Sequence, residues 1–241
     1  PEVIVLGDSF AMGWGVEQED TFARVLARRS GLKVLNAAVS SYGTAREMLL
    51  LGRLDTSRLR YLVIQYCEND EEENRAFLLS GNTLKTMDRD TYQRLVAEHE
   101  ASGGYYPGKY LAMKLKKKWR EFGQSKGKPR TPGPANALAG RDDVEVFLHA
   151  LMNSPVDLSR VQIIVFEATG KDDLDRDFVR RLGRRIGQGA YPPYVKALLP
   201  LDVTKILTKN DYYVLDEHWT PAGHKAVGEA VWAAIQQTGR K

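Results

Sequence analysis

The chain has 241 residues, 43% hydrophobic and 27% charged, a globular balance that excludes disorder and leaves room for one large domain or two small ones. Its one cysteine, Cys67, excludes an internal disulfide and a cysteine-rich metal centre, and fits any compartment. The formal charge of +4 is mild, and no apolar run approaches the roughly 20 residues needed to cross a bilayer.

The first predicted element is a short buried strand, Val3 to Leu6, which stops at Gly7-Asp8-Ser9 and a loop reading "AMGWG". A helix follows, capped by Asp20 and carrying Phe22, Val25 and Leu26. Val34 to Val39 reads as a second strand, and Thr44 is placed to cap a helix with Met48, Leu49 and Leu51. Tyr61 to Cys67 reads as a third strand. These strands are apolar along their length, as strands covered on both faces are. Strand alternating with helix predicts a parallel sheet with crossover helices.

The middle of the chain interrupts the alternation. Between about 71 and 159 no strand is legible, although Leu111, Leu115 and Trp119 share a helical stripe, as do Val144, Phe147, Leu148, Leu151 and Met152. The stretch from Gly123 to Gly140 is rich in Gly, Pro, Lys and Ser and reads as an exposed loop. Nine Lys/Arg and one acid, Glu121, lie between Lys109 and Arg130, whereas five acids surround Asn69 between Glu68 and Glu73. The basic run reads first as a solvated helix face and second as a surface for anionic polymers or lipid headgroups. The middle segment is therefore expected to be a mainly helical insertion, a lid or partner surface within a single domain.

The alternation then resumes. Gln162 to Phe166 is a fourth strand, Leu174, Phe178, Leu182 and Ile186 step along one helix face, and Ala197 to Val203 is a weaker fifth strand. Ala226, Val227, Ala230, Val231, Ala234 and Ile235 mark a final amphipathic helix. Five strands wound this way predict a flavodoxin-like three-layer α/β/α sandwich.

Ligands of such sheets bind at the carboxyl ends of the strands, and four blocks of chemistry-bearing residues fall there. Ser9 follows the first strand, and a serine needs a base, an acid to orient that base, and donors for the oxyanion. The segment "VLDEHWTPAGH", 214 to 224, offers Asp216 and His218 two residues apart just before the last helix, with Pro221 in that helix's first turn. Gly43, after the second strand, can bring a backbone N–H close to a ligand, and Asn69, after the third, carries a side-chain amide. Asp8 is expected to serve its own turn, and His224, inside the helix, to be structural. Trp14 and Trp219 read either as walls of a sugar- or acyl-binding cleft or as packing. Asp216, His218 and His224 lack further ligands at metal spacing, and "GWG" is too incomplete for a dinucleotide fingerprint, so neither metal nor cofactor is expected. Lys114 to Arg120 lacks interleaved aromatics beyond Trp119, so nucleic acid is not expected either.

Together the four blocks resemble the SGNH (GDSL-type) hydrolase superfamily, over roughly residues 1–70 and 160–238. The resemblance implies Ser9 as nucleophile, His218 as base, Asp216 as its orienting acid, and Ser9, Gly43 and Asn69 as oxyanion donors. It implies a serine-dependent ester hydrolase acting on an acylated small molecule or glycan. Two departures stand out: Cys67 takes the place of the glycine in Gly-x-Asn-Asp, and the last block is Asp-x-His-Trp rather than Asp-x-x-His. The shorter spacing is similar to that of polysaccharide O-acetyltransferases of alginate-type systems, where the blocks occur in another order. An O-acetyltransferase is thus the alternative enzyme, and an inactive glycan-binding or scaffold domain the alternative outside enzymes. The chain opens on Pro1 rather than Met, so it reads as processed or trimmed, with room for a removed anchor or leader; localisation stays open, an extracytoplasmic or membrane-proximal place being set ahead of the cytoplasm.

Overall fold

The computed structural model describes residues 1–84, 87–102 and 142–238. The chain divides into two compact units, one of Pro1–Leu84 with Arg141–Lys241 and one of Lys85–Gly140. Within the second, the described helix is α5 (Arg89–Ser102). The stripe of Leu111, Leu115 and Trp119, the basic run and the Gly123–Gly140 loop lie outside the described residues.

The first unit is built on five parallel strands, β1 (Val3–Leu6), β2 (Val34–Asn36), β3 (Tyr61–Tyr66), β4 (Gln162–Glu167) and β5 (Leu199–Pro200), in the order β2-β1-β3-β4-β5. This is the flavodoxin-like winding, with the direction of strand addition reversing between β1 and β3. Side chains alternate between two cores. Val3 and Val5 of β1, Val63 of β3 and Phe166 of β4 face α2 (Phe22–Ser30) and α9 (Pro221–Thr238). Ile4, Leu6, Ile64 and Val165 face α3 (Thr44–Leu51), α6 (Asp143–Met152), α7 (Phe178–Gln188) and the short α8 (Pro193–Lys196). All four residues of β1 are fully buried, each stabilising the fold by roughly 1.5–3 kcal/mol relative to exposure.

The two edge strands are shorter than the apolar runs suggest. β2 ends at Asn36, whose side chain donates to the Ala11 carbonyl at 2.8 Å and accepts the Ala38 N–H, while the Ala37 and Val39 N–H groups still reach the Val5 and Gly7 carbonyls. β5 is two residues long and contains Pro200, which an edge position tolerates because no ladder donor is needed there. The cap of α2 is Thr21, one residue beyond Asp20, its hydroxyl accepting the Arg24 N–H while Asp20 sits in a preceding 3-10 turn. Thr44 is the first residue of α3 rather than its cap.

The segment expected as an insertion, about 71–159, contributes two helices to the first unit, α4 (Asp70–Leu79) and α6. Val144, Phe147, Leu148 and Leu151 of α6 pack into the sheet's own core, so the stripe read there is a layer helix. Among the described residues, no helix is long and apolar enough to cross a membrane.

Candidate active site

The turn after β1 is shaped by contact with β3. Gly7 has φ +154°, and a Cβ on it would stand 2.5 Å from Gln65 Oε1 and 2.6 Å from the Ala11 side chain. Gln65, fully buried on β3, uses that same oxygen to accept the N–H groups of Asp8 at 3.0 Å and Ala11 at 3.2 Å. Asp8 caps α1 (Ser9–Met12) by accepting the Phe10 N–H, the structural part expected of it. Burial raises the Asp8 carboxyl, partly opposed by the Phe10 and Gln65 hydrogen bonds and by His218 nearby. Ser9 is thereby held at the start of α1, at the carboxyl end of the sheet where its winding reverses.

The partner loop runs from Asp211 to Thr220 and is pinned at both ends. Thr220 N–H donates to the Asp211 carbonyl at 2.8 Å, Tyr213 N–H donates to the His218 carbonyl at 3.1 Å, and Tyr212 bridges Trp219 in antiparallel fashion. Tyr213 Oη donates to the Gly15 carbonyl at 2.6 Å, and its ring lies 3.1 Å from where a Gly15 Cβ would be. Lys171 Nζ donates to the Val214 carbonyl at 2.6 Å. So fastened, the loop brings His218 Nε2 to 2.8 Å from Ser9 Oγ. His218 Nδ1 bonds Asp216 Oδ1, which also accepts the backbone N–H of His218 at 2.9 Å. Desolvation raises the Asp216 carboxyl, but the backbone and ring hydrogen bonds of His218 outweigh it and hold Asp216 below its ordinary range. Ser9, His218 and Asp216 thus form one continuous chain of hydrogen bonds.

The aromatic residues divide. Trp14 is 52% exposed with its ring centroid 6.1 Å from that of His218, at the rim of the site. Trp219 is fully buried, its ring 5.0 Å from Phe10, 5.5 Å from His224 and 6.2 Å from Phe166. It cannot wall a cleft, and the substrate-binding reading of Trp219 is corrected to a core anchor for the residue just before it. His224 is structural as expected, its Nδ1 accepting the Phe22 N–H at 3.3 Å. Burial, followed by the charge of His218, pushes His224 down to about 4.

The oxyanion donors divide as well. Gly43 is buried, and its N–H donates to Glu73 Oε1 at 3.1 Å, so it is not free for an oxyanion as expected. A Cβ there would lie 3.2 Å from the Asp70 Cα, and close packing of α3 on α4 accounts for the glycine. The loop before it, fastened to the Gly7 carbonyl by the Val39 N–H, carries Ser40 and Ser41, whose N–H groups have no partner among the described residues. Ser41 has φ +64°, uncommon for a residue other than glycine. Ser9 N–H is likewise unpartnered among the described residues. Asn69 is exposed at the start of α4 and its side chain makes no capping bond. Cys67 is partly buried, and burial pushes its thiol up, which disfavours the thiolate. Among the described residues no group of His, Cys, Asp and Glu could hold a metal ion.

No family model and no curated sequence matches the chain. Solved structures do resemble it. A lipolytic protein of the G-D-S-L family from Desulfitobacterium hafniense aligns with a TM-score of 0.50 at 13% identity, over 97% of this chain and 99% of that one. A member of the same lipolytic family from Veillonella parvula aligns at 0.52 and 9% identity, over 97% of each chain. TesA aligns at 0.50 and 13% identity, over 98% of each. The chain has the α/β fold of GDSL-type (SGNH) lipolytic proteins.

Proposed function

We propose that this protein is a serine-dependent acyl ester hydrolase acting on a small ester or an acylated carbohydrate. The observation that carries the reading is the unbroken hydrogen-bonded chain from Ser9 Oγ through His218 to Asp216, on a fold shared with lipolytic proteins. Ser9 Oγ attacks the acyl carbonyl as His218 Nε2 takes its proton, and Asp216 holds the imidazole by Nδ1–H and offsets its positive charge. The tetrahedral oxyanion is met by the Ser9 N–H, the Asn69 amide and the free N–H of Ser41. One such donor is worth about 2.7–4 kcal/mol of barrier. The intermediate collapses, the alcohol leaves with the proton from His218, and water repeats the sequence to release the acid. Trp14 offers a half-exposed indole face on which a sugar ring or acyl chain lies beside His218.

Ser9→Ala tests the reading. We expect p-nitrophenyl acetate turnover to fall by about 10⁴-fold or more, and labelling by a fluorophosphonate to vanish. Labelling that persists in the variant removes the assignment, and a folded wild type with neither turnover nor labelling favours a non-catalytic glycan-binding domain.

A second reading, polysaccharide O-acetylation, rests on the similarity of the Asp216-x-His218-Trp219 spacing to that of polysaccharide O-acetyltransferases; in this chain one carboxylate oxygen of Asp216 bonds both the backbone N–H and the ring of His218. Incubation with an acetyl donor and an oligosaccharide separates the two, since a hydrolase releases only free acetate.

A further inference from the structure

The start of α3 has no cap of its own. Gly43, in the cap position, has no side chain, yet the first N–H groups of a helix need acceptors from outside it. They come from one face of α4. Glu73 Oε1 accepts the Gly43 N–H at 3.1 Å and the Arg46 N–H at 3.3 Å, and Asn74 Oδ1 accepts the Ala45 N–H at 2.8 Å. Asp70 Oδ2 accepts the Thr44 hydroxyl at 2.8 Å, and the other oxygen of Glu73 pairs with the Arg46 guanidinium at 2.8 Å. Asp70, Glu73 and Asn74 stand at i, i+3 and i+4, the spacing that puts three side chains on one face. Asp70 and Asn74 are buried and Glu73 is largely so, which lends these bonds weight.

We propose that this acid–amide face of α4 is a clamp that positions the oxyanion donors of the site, with Glu73 its principal positioning residue. The proposal rests on the reading of Ser9 as nucleophile. The helices it joins each begin close after a donor-bearing position: α3 starts at Thr44, three residues after Ser41, and α4 starts at Asp70, directly after Asn69. The first loop is also fastened to the Ser9 turn through the Val39 N–H on the Gly7 carbonyl. Fixing α3 to α4 therefore fixes the Ser41 N–H relative to the Asn69 amide, across the point where the sheet's winding reverses. Glu73 is assigned no contact with substrate. It acts through the loops, and a misplacement of about 1 Å there can cost on the order of 100-fold in rate.

Glu73→Ala tests the clamp against p-nitrophenyl acetate. We expect kcat to fall by about tenfold or more with KM changed less than about twofold, since oxyanion donors act on the transition state. Glu73→Gln, which keeps an acceptor for the Gly43 N–H, is expected to recover most of the loss. A helix contact of purely structural value would lower melting temperature without this split or this rescue. Should the alanine variant not fold, Glu73→Asp keeps the charge but falls one methylene short and is read on the same constants. Unchanged kcat in a folded Ala or Asp variant overturns the clamp, as does a glutamine variant no better than alanine. A wild type that resists a fluorophosphonate removes the Ser9 reading and the clamp with it, whereas labelling of wild type and Glu73→Ala at equal rates removes the clamp alone.

Discussion

Two sides of Ser9 are held by opposite physics. On the α9 side, the loop bearing Asp216 and His218 is anchored by aromatic packing, with Trp219 set among Phe10, Phe22, Phe166 and His224. On the α3–α4 side, the donor loops are tied by hydrogen bonds to buried acids and an amide. There Glu47, one turn along α3 from Thr44, is buried with neither carboxyl oxygen bonded, and Asp70 Oδ1 is also unpartnered, among the described residues. Burial raises Glu47 well above its ordinary range, and the neighbouring Asp70, Asp8 and Glu73 push it further. Burial raises Asp70 too, despite the Thr44 hydroxyl bond. On the aromatic side the titrating group is His224, held neutral by burial, whereas on the polar side the buried carboxyls of Glu47 and Asp70 are raised.

The largest expected effect breaks the aromatic side. Trp219→Ala opens a cavity in the core and should lower unfolding free energy by about 3–5 kcal/mol, measured by urea denaturation. Activity should fall as well in the folded fraction, because the residue before it is His218. Full activity in that fraction would show that Trp219 does not anchor the base.

Acid separates the two sides next. The unfolded chain protonates His224 near its ordinary 6.5, while the folded protein holds it neutral down to about 4. Stability contributed by the neutral ring is thus present above pH 6.5 and is lost as pH falls toward 4, by about 3 kcal/mol in all. His224→Gln should flatten that window in denaturation measured between pH 7 and 4. An unaltered pH slope would reject the assignment.

An effect of opposite sign comes from the polar side. The unfolded chain releases the Glu47 proton above about 4.5, whereas the folded protein retains it, so stability falls as pH rises from there toward the raised value. Glu47→Gln should remove this slope and gain on the wild type as pH is taken from 5 to 9. Parallel stability curves for the two proteins would mean that Glu47 is ionised in the fold.

How much of this was legible in the sequence depends on the range of the interactions. β1, β3 and β4 are runs buried on both faces, a pattern that neighbouring residues alone encode. The Ser9, Asp216 and His218 blocks are short and local, and they stand where the strands end. Gly43 was misread because the atom that takes its N–H is thirty positions away, on Glu73, in a stretch whose acids look like a solvated face. The sequence leaves Trp219 open between cleft wall and packing because burial is set by the rings it meets, which come from α1, α2, β4 and α9. α4 escaped notice because its buried face carries Asp70, Asn74 and Phe77, of which only one is apolar.

The brevity of β2 and β5 has a consequence for how the molecules live beside one another. Each end of the sheet exposes only a few backbone groups, and at β5 the proline removes an amide hydrogen outright. A strand from a second copy would find little ladder to extend, so the sheet is protected against edge-to-edge stacking when the protein is concentrated or crowded.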